Sequence, residues 1–254
     1  MFKQQFLLLT RYPVNLAANF LLILIIVVAV ILIVTVFAPA ETQTRLRGIT
    51  LYGSIIYIIL SQTIWTIGMS IQKEQIEGTL ASFYLTPASR FLTLLARSFV
   101  VLSWTAIASL IGFVSVQLIT GPLSFYNKWL ALGILLFAAS SLIGLGFAIA
   151  GLALRFGETI EILANLLEFA LLGLCAFFFP FSVLPPVLEN IARLIPLSYA
   201  VDAFRTVALG EAQPELLPLN LEIAIVIGTG LLSPLLGYLI YRINENDVRQ
   251  RGTL

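Results

Sequence analysis

Long uncharged apolar runs alternate with short polar stretches along this chain. Residues 16–37, 49–71, 99–120, 129–154 and 223–241 contain no charged residue, and 162–179 is interrupted only by Glu168. None of these runs alternates with a period of two. The stretch NFLLILIIVVAVILIVTVF is apolar on every face, which suits a helix in lipid and not a strand of an outer-membrane barrel. About 20 apolar residues cross a bilayer as a helix. The pattern therefore predicts an all-α integral membrane protein, one domain over residues 1–254, with six transmembrane helices. The expected spans are 16–37, 49–71, 87–120, 129–154, 160–179 and 220–241. The start of the chain lacks the order of basic region, short apolar region and small-residue cleavage site that marks a signal peptide, so its first run reads as a retained helix.

Two polar interruptions carry helical patterns of their own. In KEQIEGTLASFYLTPASR, residues 73–90, the apolar Ile76, Leu80, Phe83 and Tyr84 recur at i, i+4, i+7 and i+8. That spacing predicts a short amphipathic helix on the membrane surface, with an ordinary amphipathic loop as the plainer alternative. Gly78 in its middle suggests a bend or the close approach of another backbone. Thr86 reads as an N-cap with Pro87 at the first helical position. A helix over 87–120 is about 51 Å long, well beyond a hydrocarbon core of about 30 Å, so it should project from the membrane. The second interruption lies between the fifth and sixth spans. Val187, Leu188, Ile191 and Leu194 form an apolar face, and Pro196 then opens a helix through Leu209 that carries Asp202 and Arg205 at i, i+3. We expect two short helices here, with an Asp202–Arg205 pair fixing geometry.

Composition narrows the class. Mean hydropathy is +1.02; 59% of residues are hydrophobic and 11% charged, against roughly 25% charged in soluble domains. A soluble fold could not hide so much apolar surface. With no histidine and one cysteine, Cys175, His-containing triads, His-ligated zinc and internal disulfides are excluded, and no metal site is expected. No basic patch suggests nucleic acid. The Lys/Arg distribution sets orientation. Lys3, Arg11, Lys73, Arg90, Arg97, Arg155, Arg242, Arg249 and Arg251 fall on one side, and only Arg45, Arg47, Lys128, Arg193 and Arg205 on the other. Both termini and the 73–90 stretch are thereby expected in the cytoplasm, with the short helices after the fifth span on the outer face.

Glu168 is the one carboxylate deep inside an expected span. A charge at mid-membrane costs roughly 2.5–3.5 kcal/mol on insertion scales, so Glu168 is a candidate pathway residue, with Gln62 as a polar companion. The alternative is a hydrogen-bonded carboxyl tucked between helices. Ser140, Gly144 and Ala148 in the fourth span repeat at i, i+4, i+8 and suit close helix packing within one subunit. No G-x-x-x-x-G-K-[ST] phosphate loop occurs, so any nucleotide chemistry belongs on another chain.

The 73–90 stretch resembles the segment before the third helix of ABC-2 type transporter permeases. FFFPFSVLPPVLENIARLIPLSYAVDAFR, residues 177–205, resembles the outer-face signature of the same family. The resemblance implies a permease subunit of an ABC exporter that forms the translocation path. It implies a separate ABC ATPase that holds the ATP, so that this chain is not an enzyme and binds no cofactor directly. It also implies a second permease subunit, identical or paralogous, and surrounding membrane lipids as partners. Carried over residue by residue, Glu77, Gly78, Thr79, Leu80, Thr86 and Pro87 map to the element that couples to the ATPase. Glu77 is placed for a polar contact with the partner, and Leu80 and Phe83 for holding the element against the third helix. Pro180, Pro185, Pro196, Tyr199, Asp202 and Arg205 map to the outer-face motif. The implied location is the plasma or inner membrane of a prokaryote, with a plastid membrane as the alternative. The cargo expected is a drug, lipid or other amphipathic molecule. A secondary transporter or channel, or an intramembrane enzyme, are the competing classes. They would require ion-handling groups, internal repeats or clustered catalytic side chains within the spans, and the sequence shows none clearly.

Overall fold

The computed structural model describes residues 25, 28–33, 36–37, 39, 41–78, 90–121 and 125–250. Among these the chain is helical, with no strand. Helix α1 (Gln43–Gln62) passes through a π-helical turn, Thr63–Gly68, into α2 (Ser70–Ile76). Then follow α3 (Arg90–Thr120), α4 (Lys128–Phe156), α5 (Ile160–Leu174), α6 (Pro186–Ala192), α7 (Pro196–Leu209) and α8 (Leu219–Gln250).

Local chemistry explains most of the boundaries. Asn127 caps α4, its side chain accepting from the Leu130 N–H at 3.2 Å. Gly157 ends α4 with φ +53, and the 3-10 turn Gly157–Thr159 carries the chain into α5. Proline occupies the first turn of α6 and α7, and Gly210 closes α7 in the left-handed conformation, the usual asymmetry of helix ends.

Four helical stretches among the described residues are long and apolar enough to cross a membrane: Gln43–Ile76, Phe91–Leu118, Lys128–Leu174 and Leu219–Gln250. The third has 47 residues, about 70 Å if straight, more than twice the hydrocarbon core. The break at Gly157 folds it into two passes, α4 and then α5 back along α1. The expected span 16–37 lies mostly outside the described residues, where only 25, 28–33 and 36–37 are seen as helix.

Three spans differ from expectation at their ends; the second, expected over 49–71, runs as the helical stretch Gln43–Ile76. The fifth was expected to reach residue 179, but α5 stops at Leu174 after 15 residues, about 22 Å. The sixth was expected to stop at 241, but α8 continues to Gln250. Charged residues from Arg242 onward mark an exit from lipid, not an end of helix.

The tightest pair is α4 against α8. Ser140 donates to the Gly230 carbonyl at 2.7 Å and Ser233 to the Ser141 carbonyl at 2.7 Å. A Cβ on Gly144 would stand 2.2 Å from the Ser233 backbone, and one on Gly237 would stand 2.0 Å from the Gly144 oxygen. Glycine is required at this crossing because backbone meets backbone. A second centre is aromatic. Tyr52 of α1, fully buried, contacts Phe113 of α3, Phe125 before α4 and Phe204 of α7 at ring-centroid distances of 6.0, 5.3 and 6.2 Å. Helix α7 is buried on most sides. It is a core element of the bundle.

Candidate functional site

Three groups of polar residues sit at different depths along α1. The first lies at its Arg45 end. Beyond Leu174 the chain reverses through Ala176, whose φ is +48. This turn leaves carbonyls without α-helical partners, and two side chains, Arg205 and Thr50, bond three of them. Arg205 donates from Nη1 to the Phe179 oxygen at 3.1 Å and from Nη2 to the Ala176 oxygen. Thr50 donates to the Phe178 oxygen at 2.9 Å. Gly53 lets α1 approach so closely that a Cβ there would lie 1.9 Å from the Phe177 oxygen. Arg205 is 4% exposed. Burial pulls its pKa down to about 10, against the opposing pull of Asp202 and Glu215, so it stays protonated at neutral pH. A cation on the carbonyls at a helix C-terminus is also favoured by the helix dipole.

Asp202 does not pair with Arg205 as expected. Its Oδ2 accepts from the Glu215 and Leu216 N–H groups, both at 2.8 Å, while burial pushes its pKa up. No ion pair joins the two residues. The reason is energetic. An i, i+3 pair on a helix is worth about 0.2–0.5 kcal/mol, whereas a hydrogen bond between a charged group and a buried backbone group is worth roughly 1.5–3. Each charge therefore serves backbone that would otherwise be orphaned. The other residues of the expected motif lie alongside. Pro180 precedes the 3-10 turn Phe181–Val183, Pro185 precedes α6, Pro196 opens α7, and the Tyr199 hydroxyl donates to the Arg193 carbonyl.

Sequence reading missed a clasp around this motif. Arg45 donates from Nε to Glu211 Oε1 at 2.6 Å and from Nη2 to Glu215 Oε1 at 3.3 Å, and Glu215 Oε2 accepts from the Ser182 N–H at 2.9 Å. Arg45 lies in the first turn of α1, Ser182 in the 3-10 turn and the two glutamates in the connection before α8, and no spacing in the sequence joins them.

The second group is at mid-depth. Glu168 is 7% exposed and lies on a buried stripe of α5 with Ile160 and Ala164. Tyr57 donates to its Oε1 at 3.2 Å and the Trp65 indole N–H to its Oε2 at 2.6 Å. Trp65 belongs to the π-helical turn, a feature that often marks functional positions. Gln62, the companion expected from sequence, instead accepts from Thr66 at 3.3 Å and does not pair with Glu168. Tyr57 and Trp65 lie eight residues apart, on one face of a helix, which is the signal that could have found them.

The third group closes the other end. Lys73, Glu74 and Gln75 continue the long helix begun at α1, Glu77 is the C-cap of α2, and Gly78 follows with φ +68. The surface helix expected through Ile76, Leu80, Phe83 and Tyr84 therefore does not run uninterrupted. It breaks at Gly78, where a left-handed residue ends α2. A Cβ there would meet nothing within 4 Å, so the glycine serves a bend, not a close approach among the described residues. Thr79, Leu80, Phe83, Thr86 and Pro87 lie outside the described residues. Glu77 is exposed. Glu74 forms an ion pair with Arg97 of α3, with side chains 15% and 17% exposed, so the end of α2 is tied to the base of α3.

The sequence model of the family described as ABC-2 type transporter matches residues 1–209. The chain belongs to that family. No curated protein matches the chain. An ABC-2 membrane domain is the permease part of an ABC transporter, a transport domain and not itself the catalytic one. ABC-2 membership also implies association with ABC ATPase subunits and a multi-pass place in a membrane. The ABC-2 match ends at the last residue of α7, so α8, the close partner of α4, lies beyond it.

Proposed function

We propose that this ABC-2 chain is one half of an exporter for an amphipathic cargo. A second copy or a paralogue completes the path, and a separate ATPase drives it from the cytoplasmic side. The reading puts both termini and the Glu77 end in the cytoplasm, as the Lys/Arg distribution suggests. It assigns the segment from Glu77 to Pro87 to docking on the ATPase. Glu168, held by Tyr57 and Trp65, is assigned to the path. The outer-face motif around Arg205 anchors the broken fifth span.

One observation carries the coupling part of this reading. The docking segment leaves α2 directly beside the Glu74–Arg97 ion pair. A push on that segment would therefore reach α1 through continuous helix and α3 through a part-buried ion pair. Such a pair is less screened than a surface one. Reversing each charge alone, Glu74→Arg or Arg97→Glu, should lower cargo-stimulated ATP hydrolysis in reconstituted complex. The double reversal should restore most of it. If the single variants hydrolyse ATP normally, or the double variant is no better than either, the pair does not couple.

A further inference from the structure

A groove of about 900 Å³ runs between α1, α3 and α4. Its outer wall includes Leu110, Trp129, Leu132 and Leu136, all exposed, so it opens sideways toward lipid. Along α4 it extends from Lys128 to Ala139, about 16 Å, or half of a hydrocarbon core. Its depth is that of one leaflet.

Two polar groups break the apolar lining at defined depths. Lys128 stands at the mouth, exposed, in the first turn of α4, and makes no ion pair among the described residues. The N-terminal turn of a helix adds its own preference for an anion there. Ser109 lies deeper, eight residues below Gln117 on α3, about 12 Å along the axis. Other α3 hydroxyls satisfy themselves: Ser98, Ser103, Thr105 and Ser115 each donate to the carbonyl four residues back, at 2.8–2.9 Å. Ser109 does not. Its Oγ is buried without a hydrogen-bond partner, and the residue is 8% exposed. A buried hydroxyl left unpaired costs free energy that the usual back-bond would have avoided.

We infer that the groove binds a single-chain amphiphile drawn from the membrane, with an acidic head at Lys128 and an oxygen about mid-chain at Ser109. The apolar walls take the chain, the cation and helix terminus take the acid, and Ser109 takes the inner oxygen. This assignment stands apart from the permease reading, because binding requires neither ATP nor a second subunit.

The test uses the purified chain in uncharged detergent with 10-doxylstearate, a fatty acid carrying a nitroxide at mid-chain. Its immobilised spin-resonance signal reports occupancy. Unlabelled 10-hydroxystearate, stearate and octadecanol then compete. The wild-type protein should show an immobilised signal, and 10-hydroxystearate should displace it about fivefold better than stearate, the worth of one neutral hydrogen bond. Ser109→Ala should bring those two competitors level. Lys128→Gln should weaken both acids about two- to fivefold and leave octadecanol unchanged. No immobilised signal in the wild-type protein, or equal displacement by the hydroxylated and plain acids, overturns the inference. So does a fivefold preference that survives Ser109→Ala. The wild-type competitor order decides the matter even if a variant folds poorly.

Discussion

Arg205→Met should loosen the turn that ends the fifth span. The substitution keeps an unbranched chain in a buried site and removes the donors to the Ala176 and Phe179 carbonyls. The Phe179 N–H still donates to the Ala176 oxygen at 3.3 Å, so the Phe179 carbonyl is the one left buried and unpaired, at a cost of about 1–3 kcal/mol. Against this, methionine avoids the desolvation that pulls the Arg205 pKa down to about 10. Replacing a whole buried ion pair by apolar groups is often neutral. Here the acceptors are backbone and stay behind, so the balance remains unfavourable, by about 1–3 kcal/mol. For a chain of this size that is a fall in Tm of roughly 2–12 °C. The chain provides its own reporter. Cys175 is its single cysteine, fully buried at the start of the same turn. Alkylation by N-ethylmaleimide during a temperature ramp should be blocked in the wild-type protein until it unfolds. In Arg205→Met it should begin at lower temperature, and Arg205→Lys, which can reach one carbonyl, should fall between. If Arg205→Met protects Cys175 as well as the wild type does, the capping argument is wrong.

Two further outcomes follow from contacts elsewhere. Glu168→Gln replaces a carboxyl whose two oxygens both accept by an amide that offers one acceptor oxygen and two donors. It cannot accept from both Tyr57 and Trp65 in the present geometry, so Trp65 emission should shift and cargo transport should change while membrane abundance stays normal; lost abundance alone would make Glu168 a packing residue. Gly144→Ala forces a methyl group against the Ser233 backbone, and overpacking of this kind costs about 1–3 kcal/mol; a thermal unfolding midpoint equal to that of wild type would show that α4 and α8 are not so close.

The uncharged runs announced the helices because, in lipid, hydrophobicity alone fixes where backbone must be helical. They could not announce the ends. Phe177, Phe178 and Phe179 extend the apolar run of the fifth span, yet the helix stops at Leu174. What stops it is Arg205 and Thr50, which arrive from distant positions in the chain. The π-helical turn was equally hidden, since Thr63–Gly68 has no local signature and is packed in place by α4, where Gly146 lies against Thr63 and Ile67. The sequence singled out Glu168 by its isolation but not its partners, because Tyr57 and Trp65 lie on another span and no spacing joins them to it. At Gly78 the sequence offered a bend or a close backbone approach, and a φ of +68 in open space selects the bend.

The central claim is that the segment leaving α2 meets the ATPase and hands its motion to α1 and α3. The direct test places the photo-crosslinking residue p-benzoylphenylalanine at position 77 in the full complex. Irradiation should join the permease to the ATPase subunit efficiently, and the yield should change between nucleotide-free and ATP-bound states. A complex that hydrolyses ATP normally, yet gives no crosslink to the ATPase in either state, would contradict the account.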